Sequence, residues 1–116
     1  FAGEDVYLNP NAALHIGLAL HELVVNSMSH GALAHPHGQV TLTSRIDHKD
    51  NGNAPSLILT WSERTDAREL RDAKRFGSVA LERVVPHSLD GTAAFHLADD
   101  RLDYRLEVPA ANFEVD

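Results

Sequence analysis

The stretch LALHELVVNSMSHGAL, residues 18–33, constrains this chain most, because it reads as a long apolar helix with an acid, an amide and imidazoles set inside its pattern. A helix turns 100° per residue, so His15, Glu22, Asn26 and Ser29 share a narrow sector, with His30 at its margin. Ile16, Leu20, Leu23 and Val24 project towards the opposite side. One face packs, and the other is an exposed polar stripe that can carry chemistry.

At 116 residues the chain is read as a single domain, residues 1–116, long enough to bury a core without metal or disulfide staples. It has no cysteine, which excludes disulfides, zinc–thiolate sites, iron–sulfur clusters and thiol catalysis. The net charge of −7 argues against a general nucleic-acid binder, since backbone affinity rests on clustered Lys and Arg. Half of the ten basic residues nevertheless lie in residues 64–75, interleaved with Asp66, Glu69 and Asp72; the run reads either as a solvated segment or as a locally positive one. No apolar run approaches the roughly 20 residues that span a bilayer, and no signal peptide is evident, so no membrane contact is expected. The first residue is Phe1, which suggests a domain excised from a longer protein.

Taken in order, residues 5–8 have strand character and Asn9-Pro10-Asn11 is a helix entry. The helix is expected from about residue 10 to near residue 30, where Gly31 offers a stop before a loop fixed by Pro36 and Gly38. Residues 39–47 and 56–63 alternate as two strands, joined through a polar hairpin connection at 48–55 that contains Asn51-Gly52. In the second strand Leu57, Leu59 and Trp61 share a face. Residues 64–75 are a lid candidate, a mobile loop with a short helix. Phe76-Gly77-Ser78 resets the chain, and Ser78 can cap a helix whose packing face would be Val79, Leu81, Val84 and Val85, ended or kinked around Pro86. Asp90-Gly91 is a turn into a terminal hairpin, residues 92–97 and 102–108. The order β-α-β-β-(lid)-α-β-β predicts a two-layer α/β sandwich with a mixed sheet and helices on one face.

Glu22 and Asn26 lie one helical turn apart, so their heads reach one small volume: a carboxylate to accept a proton or order water, and an amide oxygen to complete magnesium coordination. That pairing suits a metal–triphosphate complex, and the same spacing also occurs on solvated helix faces. His30, His35 and His37 cluster around Pro36, either as a polar loop or as metal ligands, although the spacing matches no recognised site. Trp61 reads as core by strand parity, with base stacking as the other use of its ring. Ser78 lacks the Gly-x-Ser-x-Gly surroundings of a hydrolase nucleophile.

The blocks HELVVN, HGAL, TWSE, FGSVALERV and SLDG, in that order, resemble the catalytic ATP-binding domain of HWE-type sensor histidine kinases, within the gyrase, heat-shock-chaperone, histidine-kinase and mismatch-repair ATPase superfamily. The resemblance covers about residues 5–109. It implies a sandwich of the histidine-kinase ATPase (Bergerat) type, ATP and Mg2+ as ligands, and transfer of the γ-phosphoryl group to a histidine on a separate dimerisation domain of the same protein, with a response-regulator receiver domain downstream. It places Asn26 as the magnesium ligand, Glu22 as the catalytic acid that handles water or a proton, and His21 as the histidine before that acid. It gives Trp61 and Glu63 as the Trp-x-Glu pair, with Glu63 recognising the adenine amino group. Gly77 and Ser78 form the half of a Gly-Phe-Gly-Ser turn whose N–H groups meet phosphate. Gly31 and Gly91 match structural turns.

The chain departs from that pattern at several positions. Ser29 stands where the family has a phosphate-binding Lys, and His30, a further cofactor-contact candidate, replaces the adjacent aromatic. Arg64-Thr65-Asp66 replaces Gly-Gly-Pro, and Arg75 replaces the first Gly of the Gly-Phe-Gly-Ser turn. Arg68, Arg71, Lys74 and Arg75 can supply phosphate contacts from the lid, because guanidinium forks match phosphate. The alternative reading is a degenerate pseudo-kinase domain that serves as a docking or regulatory module. A cytoplasmic location is expected from the function alone.

Overall fold

The computed structural model describes residues 6–48, 54–75 and 78–115. The hairpin tip at Asn51-Gly52 and the Phe76-Gly77 pair lie outside the described residues. Strand β1 (Val6–Leu8) leads into helix α1 (Pro10–His30), which has the limits expected from its sequence. Asn9 is its N-cap: the side-chain oxygen accepts from Ala12 N–H at 2.8 Å, and Pro10 has no N–H to leave unsatisfied. A 3₁₀ turn (Ala32–Ala34) is followed by β2 (Gln39–Asp47), β3 (Ser56–Arg64) and α2 (Ala67–Arg75). A π-helical turn (Ala80–Val84) then runs into α3 (Val85–Leu89), followed by β4 (Thr92–Leu97), β5 (Arg101–Pro109), a 3₁₀ turn (Ala110–Asn112) and β6 (Phe113–Val115).

The two-layer α/β sandwich is present, but its main sheet is antiparallel and not mixed, with strand order β2-β3-β5-β4. The crossover from β3 to β4 does make those two strands parallel. β5 folds back between them, so the parallel strands never touch. β1 stays out of this sheet and pairs antiparallel with β6, a strand not foreseen from the sequence.

The inner face of the sheet meets the helices. α1 lays Ala12, Ile16, Ala19 and Leu23 on it, against Leu57, Trp61, Tyr104, Leu106 and Val108. Leu81, Val85 and Leu89 complete this core at intervals of four. Val79 and Val84, expected on the same packing face, are instead 65% and 44% exposed. Val79 precedes the π turn and, at 100° per residue, lies about 160° from Leu81; the π turn takes more than 3.6 residues per turn, so Val84 loses phase with Leu81 and Val85.

The π turn also makes room for Pro86. Val85 N–H bonds back to Ala80 O, five residues away; the next bond of that series would need an N–H on Pro86, which has none. The stranded carbonyl, Leu81 O, accepts from Tyr104 Oη at 2.6 Å. Burial pushes the Tyr104 hydroxyl well above its usual pKa, reinforced by Glu82, so it remains a donor. Among the described residues, no helix is long and apolar enough to cross a membrane.

Candidate functional site

The predicted polar stripe of α1 is not uniformly exposed. His15 and Glu22 are half-buried and Ser29 is exposed, whereas Asn26 is only 8% exposed. The cover is α2, an amphipathic helix that buries Leu70 and Ala73 against Leu102, with Phe95 and Leu97 alongside. Asn26 Nδ2 donates to Ala73 O at 2.8 Å, one of the carbonyls a helix leaves unpaired at its C-terminus. Asn26 Oδ1 has no hydrogen-bond partner among the described residues.

The expected lid is therefore a nine-residue helix docked on the central one. A second tie holds it: His35 Nε2 lies 2.9 Å from Glu69 Oε2, a pairing that sequence distance concealed. Arg68, Arg71, Lys74 and Arg75 all remain exposed on its outer side. His30 is half-buried and His37 exposed.

Glu63 lies beneath the end of α1, 1% exposed on the inner face of β3 between Val40 and Leu102. Its Oε1 accepts from Ser27 Oγ at 2.6 Å and from Ala32 N–H at 3.0 Å, and its Oε2 accepts from Trp61 Nε1 at 2.9 Å. Ser27 Oγ in turn accepts from Leu33 N–H at 3.1 Å. Gly31 closes the network: a Cβ there would collide with Glu63 Oε1 and sit 3.3 Å from Ala73 Cβ. Its backbone is extended, so space and not a left-handed turn requires glycine.

Ser27 escaped the sequence reading. Its signal was a hydroxyl at a position on the apolar face of α1, where a polar group needs a buried partner. Ser78 is the helix cap expected, its Oγ accepting from Leu81 N–H at 3.1 Å. Gly77 lies outside the described residues. The fold thus gathers Asn26, Ser27, Gly31, Trp61 and Glu63 at the C-terminal end of α1, with Glu22 one turn earlier. An open groove of about 680 Å³ lined by Val84, Pro86, His87 and Thr92 lies elsewhere and holds none of the predicted site residues.

No family model matches the chain. A blue-light-activated histidine kinase of Rhizobium johnstonii is 30% identical over 112 residues, which is 96% of this chain and 31% of that protein. The histidine kinase domain of a blue-light-activated histidine kinase from Erythrobacter litoralis EL346 superposes with a TM-score of 0.62 at 16% identity, covering 95% of this chain and 53% of the solved one. Homology along nearly the whole chain, together with this fold, defines the class: a domain of the sensor histidine kinase family. Both of these similar proteins are blue-light-activated histidine kinases, and the chain spans about a third of the length of the curated one.

Proposed function

We propose that this chain is the ATP-binding catalytic domain of a two-component sensor kinase, holding Mg-ATP between α1 and the α2 segment and serving phosphoryl transfer to a histidine on a separate dimerisation domain. A receiver domain downstream and a cytoplasmic location belong to the same reading. The observation that carries it is Asn26 Oδ1, a buried amide oxygen without a partner among the described residues, one turn from the half-buried carboxylate of Glu22. Leaving a buried acceptor unpaired costs about 1–3 kcal/mol, and hard cations with their water shells take oxygen donors of this kind.

The residues present fit the ligands. Asn26 would hold magnesium through Oδ1, and Glu22 would order the attacking group or take its proton. Glu63 would accept from the adenine amino group. His30, Arg75, Gly77 and Ser78 would meet the phosphates, with Arg68, Arg71 and Lys74 adding charge in place of the family lysine missing at Ser29. Bound magnesium supplies charge neutralisation on the phosphate oxygens, the largest requirement of phosphoryl transfer. Nucleotide entry requires α2 to lift, giving up the Asn26–Ala73 hydrogen bond and the His35–Glu69 pair.

Calorimetric titration with a non-hydrolysable ATP analogue, with and without magnesium, tests this. Magnesium-dependent binding is expected for the native chain and its loss in Asn26→Ala, with the circular dichroism spectrum retained. Unchanged affinity in the variant would remove the metal role of Asn26, and no binding by the native chain would remove the reading itself.

A further inference from the structure

A carboxylate offers about four lone-pair sites to donors. Among the described residues, three are taken at Glu63: Oε1 holds both Ser27 Oγ and Ala32 N–H, so it is saturated, while Oε2 holds only the indole N–H of Trp61. The acceptor capacity that remains is therefore on Oε2, and its direction is set by the bond that Trp61 already makes. Strand geometry enforces the pairing, because residues two apart on a strand share a face. From the other side, Ser27 on α1 pins Oε1 and stops the carboxylate from turning. Gly31 keeps open the space that Oε1 fills.

We propose that Trp61 and Ser27 are positioning residues for base selection: they hold Glu63 so that a single lone pair of Oε2 meets a purine at position 6. An ionised carboxylate is acceptor-only, so this arrangement takes a 6-amino group and repels a 6-oxo group. The selectivity of the site for adenine over guanine nucleotides then depends on two residues that do not touch the base. This rests on the nucleotide reading above.

The test uses the lone tryptophan of the chain as its own reporter. Proton NMR of the Trp61 indole N–H is followed during titration with Mg-ATP and with Mg-GTP, and calorimetry gives both affinities for the native chain, Trp61→Phe and Ser27→Ala. Saturating Mg-ATP is expected to move the indole resonance, whereas Mg-GTP leaves it in place. Each variant is expected to lose roughly ten-fold in ATP affinity and less than about two-fold in GTP affinity, the scale of one hydrogen bond to a charged group. Equal losses for both nucleotides, or an indole signal unmoved by ATP that binds, would overturn the positioning role and leave the nucleotide reading intact. Binding of neither nucleotide by the native chain would overturn both. The resonance measurement needs no substitution, so a variant that fails to fold does not blunt the test.

Discussion

The hydroxyl of Tyr104 fills a gap that Pro86 opens 18 residues earlier in the chain, and its removal should be felt across the whole domain. Tyr104→Phe leaves Leu81 O buried without a donor, for an expected loss of about 1–3 kcal/mol, read as a lower urea midpoint at unchanged slope. The same hydroxyl sets an alkaline limit. Its folded pKa is raised by burial above the ordinary value of about 10, so with rising pH the unfolded chain gives up the proton first. The stability it contributes is full below about pH 10 and falls as pH climbs past that value. Urea melts from pH 9 to 11 should show this decline in the native chain and its absence in the variant. At this scale the sequence exposed Asn26 and Glu63 as chemical words, but not their burial. Helical spacing says which side of α1 a residue occupies, not what lies against it.

Among the elements, α1 was legible to within a residue, because Asn9, Pro10 and Gly31 mark its ends locally. α2 was legible only as a basic segment with a short helix. Its docking depends on Leu70, which is fully buried, meeting Leu102, and on Asn26 meeting the last turn of the helix. Leu70→Ala should loosen α2 alone: its amides are expected to exchange at least about ten-fold faster while those of β3 and β5 stay protected. Under the proposed function the same variant should bind the ATP analogue a few-fold more tightly, because the fraction of molecules with α2 lifted rises. Weaker binding would show that α2 supports the ligand more than it excludes it. The helix after Ser78 shows the opposite limit. Its caps are local, but the π turn that turns Val84 to solvent answers to Pro86 and Tyr104 together.

For the whole molecule, Asn112 joins what would otherwise be separate parts. Its side-chain amide donates to Leu89 O at 2.9 Å and to Pro109 O at 3.1 Å, while its own carbonyl takes the N–H of Asn9 at the head of α1. Asn112→Ala keeps the backbone bond to Asn9 but leaves Leu89 O, buried, and Pro109 O, part-buried, without that donor where α3 meets the end of β5, and should lower the thermal midpoint by several degrees, with an unchanged circular dichroism spectrum below it. The sequence alone determined the order of elements, the extent of the central helix, the terminal hairpin and the succession of words that point to a kinase domain. Caps, turns and apolar periodicity act over a few residues and are written where they act. The tertiary structure decided that β5 lies between β3 and β4, that α2 covers Asn26, and that Glu63 is shared by Ser27, Ala32 and Trp61. Those pairings join residues as far apart as 47 positions, and they exist only once the layers have stacked and buried polar groups must find donors and acceptors within reach.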